Sequence, residues 1–278
     1  MLVIAKNTFQ EIIHKKVFLL VLFLTIAFLG LYGTALYFAY KNPGSEDMLY
    51  RSLILSQLLS AGLYFASFIN AFLVVVASAG AISAEIENGT LYAIIPKPIK
   101  RSSIVIGKFL GLGIMLIVYA ALFFASIILL TQILSHWSFT FLTTEGIIKG
   151  LLLFCLEPLI LLGLGIWGTT FLPTINNGIL IVMLYGLGMI GGIIEQIGAL
   201  VKNTTMEQLG IASSLIMPTD AIYRKMTGDL FNTGLITFQG AGPFGAVNQP
   251  SNWMVVYALL YFMIFLIWGV HKFKQRDI

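Results

Sequence analysis

Glu157 lies in the run Cys155-Leu-Glu-Pro-Leu-Ile-Leu161, deep inside apolar sequence. An ionised carboxylate in such a place costs a few kcal/mol, so it is paired, protonated or turned toward water. Pro158 beside it removes a backbone donor that a neighbouring helix or water has to replace. Two uses fit these residues. Glu157 lines a path for a transported solute where two copies of the chain meet, or it locks helices together through a hydrogen-bonded carboxyl. Asn70 and Gln57 sit in another apolar stretch and read as polar contacts between helices. Asn70 is grouped with Glu157 as a candidate for the path. Glu195 falls near the end of a later apolar run and is placed at the membrane interface.

No constellation for catalysis accompanies these carboxylates. A phosphate-binding loop needs Gly-x-x-x-x-Gly-Lys-Ser/Thr, but Gly107-Lys108 is followed by Phe109 and has Ser102 in place of the first glycine. The chain is therefore not expected to hydrolyse ATP or to be an enzyme. His-Glu-x-x-His and Gly-x-Ser-x-Gly are absent, and His14, His136 and His271 stand at the borders of apolar runs. Cys155 is the one cysteine, which excludes an internal disulfide and a metal-binding thiol pair. No cofactor or metal is expected on this chain.

The second cluster of polar residues is a break between apolar runs, SAEIENGTLYAIIPKPIKRSSIVIGKFL, from Ser83 to Leu110. Glu85 and Glu87 end one run, and Asn88-Gly89 breaks the helix because glycine accepts the backbone angles of a turn. Thr90 can cap the short apolar piece Leu91, Tyr92, Ala93, Ile94, Ile95, which is too short to cross a bilayer. Pro96 and Pro98 stop that piece. Lys100 and Arg101 then read as anchors at lipid phosphates, and Ser102 or Ser103 as the cap of the next run, which contains Lys108.

The elements that hold these residues follow from composition. Hydrophobic residues make up 58% of the chain and charged residues 10%, with a mean hydropathy of +0.94. A soluble globule carries about 25% charged residues. The fold class is therefore an all-α polytopic membrane protein. Apolar runs near the ~20 residues that a bilayer demands occur at 17–40, 53–82, 104–134, 147–172, 178–200 and 253–270, giving six transmembrane helices. Residues 1–16 alternate apolar and polar positions at helical spacing and form an N-terminal interfacial helix. Gly188 and Gly192 form a small-xxx-small pair for close helix approach. Residues 173–177 read as a tight turn. Residues 201–252 are too long for a simple connection, with a helix expected at 206–217 and a turn at Pro218 to Asp220.

The net charge of +4 and a pI near 9.1 would suggest nucleic acid in a soluble domain, but here the basic residues stand at span ends, where anionic headgroups are their partner. Nucleic acid is excluded as a partner. With a cytoplasmic N-terminus, the inner segments hold ten of the sixteen basic residues, which the positive-inside rule favours. Both termini and residues 83–103 are then cytoplasmic, and 201–252 is extracytoplasmic.

The glutamate-rich span end, Gly89-Thr90, the short apolar turn, Pro98-x-x-Arg101 and Gly107-Lys108 together resemble the first cytoplasmic loop of ABC-2 type transporter permeases. The resemblance implies that this loop is a coupling helix seated in a separate ATP-hydrolysing subunit. Its residues would be Glu85, Glu87, Gly89, Thr90, Leu91, Tyr92, Pro96, Pro98, Arg101 and Lys108. It further implies a permease subunit of an ATP-driven exporter in a bacterial or archaeal cell membrane. Two copies of the chain, as a homodimer, would face two ATPase subunits, with ATP and Mg bound by those partners. A different class remains open on the residues alone: a secondary transporter or channel that uses Glu157 as a proton or ion site.

Overall fold

A computed structural model describes residues 2–41, 48–90, 100–135, 142–231 and 248–276. The described residues contain helices and no strand: α1 (Leu2–His14), α2 (Lys16–Lys41), α3 (Met48–Ser78), α4 (Ser83–Glu87), α5 (Arg101–Ser135), α6 (Thr144–Thr169), α7 (Thr174–Val201), α8 (Thr204–Ile216), α9 (Thr219–Leu230) and α10 (Asn252–Lys274). Six helical stretches among them are long and apolar enough to cross a membrane, as expected from hydropathy. The stretch that begins at Ile54 runs on through a turn to Glu87, so α4 continues the second span beyond α3.

α6 is the hub of the bundle. It packs against α3, α5, α7, α9 and α10, and from Leu153 to Thr169 most of its residues are buried. Its start precedes the expected one because Thr143 caps it: the side-chain oxygen accepts from the Gly146 amide at 3.0 Å. α5 begins at Arg101, so Ser102 and Ser103 stand in its first turn rather than at its cap. α7 begins at Thr174, with Pro173 in extended conformation at its N-cap. The expected turn at 173–177 is therefore helix from its second residue on. One consequence matters for packing: Asn177 is fully buried, and its amide donates to Ala79 O at 2.9 Å and Gly165 O at 3.0 Å. That single side chain ties α7 to α6 and to the turn after α3.

The long region before the last span is a helical hairpin folded back on the bundle. Lys202, at φ 56° and ψ 39°, ends α7 in the left-handed conformation, and Asn203 then caps α8 by accepting from the amides of Thr205 (3.0 Å) and Met206 (3.3 Å). α8 consequently runs back along α7. Pro218 stops it, since the residue before a proline is pushed toward extended angles, and Met217 has φ −139° and ψ 99°. The carbonyls left free at the end of α8 are met from α10, by the hydroxyls of Tyr257 on Leu215 O (2.5 Å) and Tyr261 on Ile216 O (2.9 Å). Thr219 and Asp220, expected in a turn, open α9, whose residues from Thr219 to Thr227 are all buried. At twelve residues, α9 is about 18 Å long and cannot span a bilayer.

The small residues of α7 serve this hairpin rather than a neighbouring span. A Cβ on Gly188 would lie 2.9 Å from Met217 O, and one on Gly192 would fall on the Asp220 carboxylate. Gly188→Val is therefore expected to lower stability by about 1–3 kcal/mol through overpacking, whereas Gly186→Ala, with nothing within 4 Å of the added carbon, should leave it unchanged. Thermal unfolding of the purified protein measures both, and equal midpoints for Gly188→Val and the parent would refute this packing.

Candidate functional site

Of the loop residues singled out from the sequence, most of the described ones gather at one end of the bundle. Glu85 on α4 meets Lys108 on α5 at 2.6 Å, and the same ammonium also donates to Ala81 O in the turn between α3 and α4. Lys108 is 5% exposed and the Glu85 side chain 25%, so the ammonium is buried and the pair meets solvent only through its carboxylate. Glu87 reaches the opposite way. Its carboxylate accepts from the Thr174 amide at 2.8 Å and the Thr174 hydroxyl at 3.1 Å, capping α7 where the helix dipole favours negative charge. Gly89 has φ +73°, the left-handed region that the turn requires, and the Thr90 hydroxyl donates to Glu85 O at 3.2 Å.

Arg101 stands apart from that cluster. Its guanidinium donates to Arg276 O at 2.5 Å, and Arg276 in turn donates to Thr170 O at 2.7 Å. Instead of only facing lipid phosphates, Arg101 ties the start of α5 through the C-terminal segment to the end of α6. Leu91, Tyr92, Pro96 and Pro98 lie outside the described residues. The described chain stops at Thr90, on the rim of a groove of about 430 Å³ between α1, the α3–α4 turn and α5. Thr8 and Glu11 of α1 and Lys15 just after it form one side, with Glu85 and Lys108 opposite. The second carboxylate oxygen of Glu85 is buried and has no hydrogen-bond partner among the described residues.

The other candidates sit inside the bundle. Glu157 is 3% exposed and accepts a short hydrogen bond from the Ser67 hydroxyl of α3. It faces the interior of its own protomer and lines an enclosed cavity of about 10 Å³ together with Tyr64, Tyr185, Thr219, Asp220 and Tyr223. Asn70 is fully buried on α3, and neither its amide nitrogen nor its oxygen has a partner among the described residues.

The structure adds a charged cluster that the sequence reading did not assemble. Arg224 on α9 is 1% exposed, donates from Nε to Asp220 at 2.9 Å and from Nη2 to Glu195 of α7 at 2.7 Å, and also reaches the Ser214 hydroxyl of α8 at 3.3 Å. Glu195, placed at the interface from sequence, is buried because its charge is matched by this guanidinium. Lys225 pairs with Asp229 at 2.7 Å, and the Gln249 amide donates to the same carboxylate at 2.8 Å. The signal was present in the i,i+4 spacing of Asp220 with Arg224 and of Lys225 with Asp229, which marks a helix.

Residues 2–278 match the model of a family described as ABC-2 family transporter protein. The chain belongs to that ABC-2 transporter family. No curated protein matches it. As an ABC-2 permease it is a multi-pass membrane protein and the membrane subunit of an ABC transporter.

Glu85, Glu87 and Lys108 bind α4 to α5 and α7. Lys108→Met leaves the Glu85 carboxylate beside no cation, and is expected to lower stability by about 2 kcal/mol or more. Adding Glu85→Gln should restore most of that loss. A double-mutant cycle on unfolding of the purified permease reads the coupling, and strictly additive losses would show that the pair is not a unit.

Proposed function

We propose that this permease forms the translocation path of an ATP-driven exporter, as a homodimer facing two ATPase subunits. Its termini and residues 83–103 lie on the cytoplasmic side of a bacterial or archaeal cell membrane, and residues 201–252 lie outside. ATP and Mg belong to the partner. The observation that carries this reading is the Glu87 carboxylate on the first residue of α7, beside the Glu85–Lys108 pair on α5. The chain entering the coupling segment is thereby fastened to the spans on either side of it. Closure of the ATPase subunits pushes on residues 83–103, and the stiff links pass that displacement to α3, α5 and α7. The predominance of basic residues at this end supports its cytoplasmic placement.

Glu157 and Asn70 take part in the path under this reading, the first by presenting a carboxylate and the second by presenting an amide with no competing partner. A second reading is favoured by one observation: Glu157 and Asp220 line one enclosed cavity. A carrier that works without an ATPase would use that pair as its ion site.

Copurification in mild detergent from native membranes separates the two. The parent chain is expected to bring down an ATPase in stoichiometric amount, and a chain carrying Gly89→Val with Arg101→Ala to lose it while staying folded. If the folded, dimeric parent brings down no ATPase, the ATP-driven reading fails and the carrier reading replaces it. Glu157→Gln is expected to abolish export with ATPase assembly intact; unchanged export would remove Glu157 from the path.

A further inference from the structure

Two shortfalls coincide at the cavity beside Glu157. The first is electrostatic. Glu157, Asp220 and Glu195 bring three carboxylates into the interior between α6, α7 and α9, and Arg224 brings one guanidinium, already shared by Asp220 and Glu195. Lys225 does not help, because it pairs with Asp229. Asp220 stands in the first turn of α9, whose N-terminus contributes roughly half a positive charge. With the carboxylates ionised, the interior is therefore about one and a half positive charges short, and an unmatched buried charge is strongly disfavoured.

The second shortfall is steric and hydrogen-bonding. The cavity of about 10 Å³ admits a single body the size of a water molecule. Thr219, fully buried at its edge, has a hydroxyl oxygen with no partner among the described residues. Leaving such a group unsatisfied costs about 1–3 kcal/mol. Apart from the sulfur of Met189, the side-chain heteroatoms around this space are oxygens, from Glu157, Asp220, Ser67, Thr219 and the ring hydroxyls. They come from α3, α6, α7 and α9.

A proton on a carboxyl offsets most of the charge shortfall but leaves the space and the Thr219 oxygen untouched. A water molecule fills the space and meets Thr219 but brings no charge. One small cation does both. We propose that the cavity between Glu157, Asp220 and Thr219 binds a single alkali-metal cation, sodium or potassium, through oxygen ligands. Oxygen donors suit a hard cation. A monovalent ion supplies one of the missing charges, and among the described residues no three Asp, Glu, His or Cys side chains converge as a divalent site would ask. A space of one water admits sodium or potassium, whose radius is close to that of water, and excludes choline. The site needs nothing from the ATPase, so it stands or falls separately from the ATP-driven reading, and it supplies the carrier reading with its ion.

The purified full-length protein, unfolded thermally in sodium, potassium or choline chloride at one ionic strength and fixed pH, tests the proposal. The midpoint is expected to rise saturably with sodium or potassium, the arm with the lower half-saturation identifying the ion, and to stay flat in choline. Glu157→Gln and Asp220→Asn should abolish the response to that ion. Should either variant fail to fold, Thr219 provides the uncharged test: Thr219→Val is expected to weaken the apparent affinity for the ion several-fold, and Thr219→Ser to keep it. Equal stabilisation by all three salts overturns the site. So does an alkali-ion response that survives Glu157→Gln, or a stability in choline that depends on pH through Glu157 with no response to sodium or potassium, which would mean that a proton occupies the place.

Discussion

A twelve-residue helix carrying Asp220, Arg224, Lys225 and Asp229 is buried on nearly every side, and much of the bundle is arranged to make that tolerable. In lipid or in a packed core, an ionised side chain without a partner is expensive. α9 answers with partners at helical spacing on itself and with Glu195 from α7. The glycines of α7 then become intelligible, because the Asp220 carboxylate packs where a side chain on Gly192 would stand. The tyrosines of α10 become intelligible too, since α8 ends inside the protein and its last carbonyls need donors. Break the match at Arg224, and two carboxylates remain buried against each other.

α7 connects this interior to the loop end. Its first residue is held by Glu87, and Glu195, twenty-one residues on, is held by Arg224. At 1.5 Å per residue, that is about 30 Å of continuous helix between two fastened points. A rigid rod gripped at both ends carries displacement without any chain of intermediate rearrangements. α6 completes the frame, since it packs on both α7 and α9 and is itself tied at its last turn to Arg276 and Arg101.

Much of this was legible in the sequence, for a definite reason. Spans announce themselves by hydropathy, and the loop by its carboxylates, glycine and prolines, which are local signals. The first arm of the hairpin, α8, matches the helix expected at 206–217, but the second arm and the burial of the pair were not legible because burial is a tertiary fact. TDAIYRKMTGDL is polar enough to read as exposed, and only the cross-helix match of Arg224 with Glu195 makes it interior. Glu195 was misplaced for the same reason: in one dimension it stands near the end of a span, and in three it faces a guanidinium twenty-nine positions away. The turn at Pro173 was read too long because proline marks a helix start as readily as a break, and here it is the N-cap. Within the loop, Glu85, Glu87, Gly89, Thr90 and Lys108 are brought together, whereas Arg101 has a different partner.

Polarity inside this bundle is placed where its helices are weakest. Pro158 deprives α6 of one amide, so the Phe154 carbonyl lacks its usual donor in the helix. Pro218 separates α8 from α9 at an extended residue. Glu157 stands next to the first proline, and Thr219 and Asp220 follow the second. Both carboxylates of the cavity and its Thr219 hydroxyl thus come from the two places where the helices are interrupted, while Ser67 and the tyrosines add hydroxyls from elsewhere. An uninterrupted apolar helix resists bending because every backbone bond lost in lipid is costly. An interrupted one has already lost it. A path that must open and close is most easily built at such points, and the polar groups there can exchange partners as the helices move. The same arrangement explains why these residues are not spread along the spans: away from the prolines, α6 presents apolar side chains and close glycine contacts, which hold the frame still.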